Sequence, residues 1–113
     1  MTDAEKVEAE KVLRVKLLCQ VTMRRAKIVA TNDTNDEMYE NEKERYQKNK
    51  LKAMQIANSI VDRFYFESAL HNIVDLCLAA GELSDASRIF NTITVDPIRN
   101  SILESHPGLD QSI

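Results

Sequence analysis

Apolar and charged positions interleave from Thr2 through Ala30 with no Gly or Pro between them. Thr2-Asp3-Ala4-Glu5 is a capping-box pattern, in which the Thr side chain accepts from the third helical N–H. The spacing therefore predicts a helix over 3–31. A competing signal lies inside it: Leu13, Val15, Leu17, Cys19, Val21 and Met23 alternate with mostly polar neighbours at the period of a strand. A strand needs a partner, and only 89–95 offers comparable β-branched density, so helix is the reading. The polar run 31–36 predicts a turn. Thr34-Asn35-Asp36-Glu37 is a second capping box, opening a helix over 36–63. That helix is polar as far as Lys50. Thereafter Leu51, Met54, Ile56, Ala57, Ile60, Val61 and Phe64 supply an apolar face, with a bend or break expected near 62–66. A third helix over 67–80 turns Leu70, Ile73, Val74, Cys77 and Leu78 inward and stops at Gly81. A short helix over 84–92 turns Ala86, Ile89, Phe90 and Ile93 inward. Asp96-Pro97 reads as cap and first residue of a last helix over 97–105, and 106–113 as a loose tail.

These elements make an all-α fold, a long antiparallel helical hairpin packed with three shorter C-terminal helices in one domain. Composition points the same way. Two Gly and two Pro in 113 residues leave too few turn formers for a sandwich, a barrel or a doubly wound sheet. Charge orients the hairpin. Arg14, Lys16, Arg24, Arg25 and Lys27 stand in a stretch without acids, whereas Glu37, Glu40, Glu42 and Glu44 open the next helix. A turn near 33–34 sets Lys27 beside Glu40 and Arg25 beside Glu42.

That hairpin has a mismatch. The second half of the first helix is rich in apolar residues, and the part of the second helix opposite it is polar. The surplus must meet the C-terminal helices, a second copy of the chain, or another protein, because large exposed apolar patches are rare on monomers. The expected function is therefore non-catalytic: a protein-binding adaptor, regulator or chaperone, self-associating as a homodimer or engaging another protein. The expected anchors are Leu17, Val21, Ile28, Phe64, Tyr65 and Phe66, the last three because aromatics concentrate binding energy. The rival reading is a nucleic-acid-associated regulator using a basic helix face of Arg45, Lys48, Lys50 and Lys52.

Residues 69–97 carry Ala69-Leu70-His71-Asn72-Ile73, then Leu76-Cys77-Leu78, Gly81 at the turn, Ala86 five residues on, then Phe90, Ile93 and Pro97. This quarter of the chain resembles a single tetratricopeptide-type helical hairpin, with Val74 standing where that family usually has a small residue. The resemblance implies a local helix–turn–helix with a peptide-facing surface. With no second copy upstream, it does not imply a stacked array.

Other chemistry finds little support. Cys19 and Cys77 lie in apolar runs and read as reduced, buried small hydrophobes. The charged stretch from Thr2 to Glu10 shows no export signal, and the expectation from it is a cytoplasmic chain. No uncharged run approaches the ~20 residues of a membrane span. His71, with Glu67 and Asp75 a turn away on either side, makes a pair of local ion contacts or at most a fragment of a metal site, and His106 reads as solvated. Asp33, Asn35, Glu37, Tyr39, Asn41 and Glu44 fit a calcium-loop spacing, but Met38 occupies the position that needs Gly. With Gly only at 81 and 108 there is no phosphate loop. The expectation is no enzyme activity, no cofactor and no bound metal.

Overall fold

The computed structural model describes residues 2–111 and is all-helical. The α-helices follow in the order α1 (Asp3–Ala30), α2 (Tyr39–Asn58), α3 (Arg63–Ala79), α4 (Leu83–Phe90) and α5 (Asp96–Ser105). A 3-10 turn, Pro107–Gln111, closes the described chain. The strand-like alternation of 13–23 is overridden within α1, whose inward residues Val15, Cys19, Thr22 and Ala26 recur at helical spacing. Among the described residues, no helix is long and apolar enough to cross a membrane.

Most predicted boundaries hold within a few residues, and the departures have local causes. Thr2 caps α1 as expected, its hydroxyl accepting from the Glu5 N–H at 3.1 Å. The second capping box does not form. Asp36 instead accepts from the Met38 N–H at 2.9 Å in a tight turn, and α2 starts at Tyr39. Asn32 takes the left-handed conformation, φ 51°, after the end of α1, which a short amide side chain tolerates. The predicted 36–63 helix ends early, at Asn58. Asp62 caps the next helix by accepting from the Tyr65 N–H at 3.0 Å, so α3 begins ahead of its predicted start. The Phe64-Tyr65-Phe66 triplet then falls in its opening turns. The last helix starts one residue early, with Val95 and not Asp96 in the cap position.

Gly81 follows α3 as the sequence predicts. Its N–H bonds the Leu78 carbonyl and the Glu82 N–H bonds the Cys77 carbonyl, the paired bonds of a Schellman motif. The motif needs positive φ at Gly81, which is 76°. An added Cβ would only touch Ala30 at 3.9 Å, so backbone strain sets the cost, not collision. Gly81→Ala is expected to lose about 1–2 kcal/mol, read as a lower urea midpoint with an unchanged slope.

α1 packs closely with both α2 and α3. Between α1 and α2, contacts join Val29 to Tyr39, Arg25 to Glu42 and Thr22 to Asn49. Lys11 donates to the Ser59 carbonyl just past α2. Small buried side chains let the helices approach: Cys19 and Ala26 on α1, Ala53 and Ala57 on α2, Ala69 on α3. The polar part of α2 in fact buries Tyr39 and Tyr46. The apolar face expected over 51–64 is split. Ala53, Ala57 and Ile60 are buried, while Leu51 and Val61 face solvent. The molecule is flat, 17 Å in its shortest direction against 50 Å in its longest. So flat a shape leaves outer helix faces uncovered, and Leu13, Leu17 and Val21 stay exposed.

The expected loose tail is corrected over 106–111. Leu109 is buried in the core. His106 does not stand free in solvent, since its Nε2 lies 2.9 Å from Asp75 Oδ1 on α3. An apolar side chain and a polar contact together hold this end down. Residues 112–113 lie outside the described part.

Candidate functional site

The three anchors predicted on α1 fall at two neighbouring concavities that share Val21, together called the trough. Leu17 and Val21 line a depression of about 290 Å³ between α1 and α2, with Arg14, Leu18, Lys52 and Ile56. Val21 also lines a second concavity of about 310 Å³, which includes Arg24, Arg25, Ile28 and Glu42. Val21 is 65% exposed and Leu17 50%, so the trough carries open apolar surface. It arises because α1 spends its small residues on the inward side. The larger aliphatics at 13, 17 and 21, four residues apart, then fall on the outer side.

The aromatic anchors lie at the start of α3. Phe64 is half exposed and packs edge-to-face with Tyr65, ring centroids 5.9 Å apart. Tyr65 borders another hollow, with Ala4, Val7, Glu8 and Val61. Phe66 lies with Met54, Leu70 and Ile89 around a further depression. The six predicted anchors therefore do not line a common pocket.

The predicted basic face is divided as well. Arg45, Lys48 and Lys52 are exposed on α2. Lys50 is withdrawn from them, held by Glu82 at 2.9 Å and Asp85 at 3.1 Å. The Tyr46 hydroxyl donates to the same Glu82 carboxylate, and Arg88 pairs with Asp85. Burial works to lower the Lys50 pKa, but the hydrogen bonds to Glu82 and Asp85 outweigh it and the net shift is upward. Burial is the main cause that raises the Tyr46 phenol, and the Glu82 hydrogen bond adds to it. This network ties α2 to the α4 region and uses Lys50 structurally.

The expected neutralisation of the α1 cations is realised only in part. Arg25 pairs with Glu42 at 3.0 Å, as the charge pattern predicts. Among the described residues, Lys27 and Glu40 form no ion pair, and neither do Arg14, Lys16, Arg24, Lys48 and Lys52. The acid-free stretch of α1 and the basic run of α2 are both visible in the sequence. Their meeting across one trough depends on which faces of α1 and α2 turn together, and a linear reading does not carry that.

Three sets of polar contacts between elements have no counterpart in the sequence. Glu8 on α1 accepts from the Val61 and Asp62 N–H groups at 2.8 and 3.0 Å, and the Asp62 bond is the main cause holding its pKa below the usual carboxylate value. Glu67, a neighbour of His71 along the chain, is fully buried. Its carboxylate accepts from the Thr94 and Val95 N–H groups at 2.7 and 2.8 Å and from the Thr94 hydroxyl at 2.9 Å. Burial pushes its pKa up, and these bonds with nearby Arg63 more than reverse that. Asp75 sits between both histidines, 3.6 Å from His71 and 2.9 Å from His106. No simple spacing marks the Glu8, Glu67–Thr94/Val95 or Asp75–His106 contacts, because each joins residues from separate elements; the His71–Asp75 contact is the one-turn pair that the sequence offers.

Cys19 and Cys77 are free and buried. Burial pushes their thiols up to about 12 and about 11, so both stay protonated near neutral pH. Among the described residues, no group of three or more His, Cys, Asp or Glu is placed to hold a metal ion. Of the residues of the calcium-loop spacing, Asp33 and Asn35 lie in the turn before α2, and Tyr39, Asn41 and Glu44 lie in α2, with Tyr39 buried. Comparison with protein-family models, with curated proteins and with solved structures finds no match to this chain.

Proposed function

We propose that this chain is a non-catalytic protein-binding module, an adaptor, regulator or chaperone, that engages its partner through the trough of α1 and α2. The observation that carries the reading is the pair Leu17 and Val21, left open to solvent beside Ile56 where two helices pack. Supporting it is an inferred antiparallel hairpin, for which the ordered contacts Val29–Tyr39, Arg25–Glu42 and Thr22–Asn49 speak. The α3–α4 pair, turning at Gly81, serves in this reading as a single tetratricopeptide-like hairpin, of which α3 packs on α1 and α2. A nucleic-acid reader is the weaker alternative. Its face loses Lys50 to Glu82 and Asp85, and its trough offers aliphatic side chains where single-stranded bases want aromatic platforms.

Val21→Asp tests the reading. The side chain is mostly exposed, so circular dichroism and melting should be nearly unchanged. Affinity capture from the native cell should recover proteins with the wild-type chain that the variant loses. Recovery of nucleic acid alone, or of the same proteins by both chains, would overturn the proposal.

A further inference from the structure

The charges around the trough say more about its occupant than the apolar floor does. α1 carries no acid from Lys11 to its end, and α2 none from Arg45 onward; Glu10 and Glu44 mark the limits. Within those stretches three cations have partners in the fold: Lys11 with Glu8, Arg25 with Glu42, and Lys50 with Glu82 and Asp85. Arg14 and Lys52 line the trough beside Leu17 and Val21 and have no ion-pair partner among the described residues. Arg24 stands at the adjoining concavity, with Arg45 and Lys48 exposed elsewhere on α2. The one acid at that concavity, Glu42, is already paired to Arg25. The chain as a whole has net charge −3, so this cationic rim runs against the overall balance.

We infer that the trough docks an acidic amphipathic helix of another protein, an apolar stripe flanked by Asp or Glu. The inference rests on the protein-binding reading above and names the chemistry of the partner. Leu17, Val21, Ile28 and Ile56 would receive the stripe, as helix-in-groove recognition requires. Arg14, Arg24 and Lys52 would meet the flanking carboxylates, which steers encounter and rejects wrong partners. From Arg14 to Ile28 the two concavities together span about 21 Å of α1, a match for roughly four turns of a docked helix. A second copy presenting the same trough is disfavoured by the same charges, since Arg14 and Lys52 would face their own equivalents.

A display library of helical peptides about 18 residues long tests this. It holds a fixed leucine stripe and draws its flanking positions equally from Glu, Gln and Lys. Selection on the full chain should enrich Glu over Lys at least tenfold at the flanks. Chosen peptides should bind at least tenfold more weakly to Val21→Asp, and to the double variant Arg14→Glu, Lys52→Glu, both checked for unchanged melting. Affinity should also fall severalfold between about 50 and about 300 mM salt, as screening demands. Enrichment without charge preference, but sensitive to Val21→Asp, would sink the acidic partner and leave the protein-binding reading standing. No Val21-sensitive enrichment in the library, together with no difference between wild type and Val21→Asp in native capture, would overturn both. Displacement of selected peptides by a short DNA duplex, or dimerisation that Val21→Asp abolishes, would replace the inferred occupant with nucleic acid or a second copy.

Discussion

Glu67→Ala is expected to be among the most damaging substitutions in the chain, lowering stability by about 3–5 kcal/mol and the melting temperature by some 10–20 °C. Glu67 is fully buried, and its carboxylate is the acceptor for the backbone N–H groups of Thr94 and Val95. Removing it strands two donors, each costing about 1–3 kcal/mol. Those donors lie in the link between α4 and α5, so the loss falls on the docking of both. Glu67→Gln keeps one carbonyl oxygen for the two N–H groups and should lose about 1–2 kcal/mol. The pair also predicts a pH dependence. Glu67 is held below its ordinary value of 4.5 in the fold, so its ionised form stabilises the native state fully above the unfolded pKa. That contribution fades as pH falls through the lower folded value. The stability gap between wild type and Glu67→Gln should therefore be flat above pH about 5.5 and narrow below about 4.5. Urea titrations across that range check it, and a gap that widens in acid would show that the site is misread.

Phe90→Ala should follow closely, at about 3–5 kcal/mol. Phe90 ends α4, is fully buried, and carries the Arg99 guanidinium 4.2 Å from its ring centroid. The substitution opens a cavity and removes the surface on which Arg99 rests. α4 has only 8 residues, too few to persist without tertiary packing. Hydrogen exchange should therefore show Leu83–Phe90 losing protection first, with α1 and α2 less affected. Phe90→Leu, which fills most of the volume, should lose about half as much. Uniform loss of protection throughout would mean that α4 does not open separately.

How far the fold is legible follows from which residues set it. Thr2, Gly81 and Pro97 act through their own backbone neighbours, and the ends they mark can be read to within a residue. Asp62 acts locally too, yet its capping signal is masked by the apolar run on either side. Tyr39 and Tyr46 run against the polarity argument because each buries a ring while its hydroxyl finds a polar partner. Leu51 and Val61 run against it in reverse, since a molecule so flat cannot receive every apolar residue inward. Leu17, Val21 and Ile28 stand out from an apolar surplus alone. The cations beside them belong to two separate runs, and nothing in either run says that they share one edge. The bonds from Glu67 to Thr94 and Val95, from Glu8 to Val61 and Asp62, and from Asp75 to His106 are out of reach for the same reason, since they cross between elements. His71 and Asp75, by contrast, meet within one turn of α3 as their spacing allows.

The position of α1 has a consequence for synthesis. Chains fold from the N-terminal side as they emerge, and α1 is the element that both α2 and α3 pack against. It leaves the ribosome before both of them, its inward stripe of Val15, Cys19 and Ala26 not yet covered by these two helices, alongside Leu17 and Val21. The Glu8 carboxylate must wait for residues 61–62, and Ala30 for Gly81. The nascent chain thus passes through an interval in which its longest helix is adhesive on two sides, one to be covered by its own later residues and the other left open in the finished molecule.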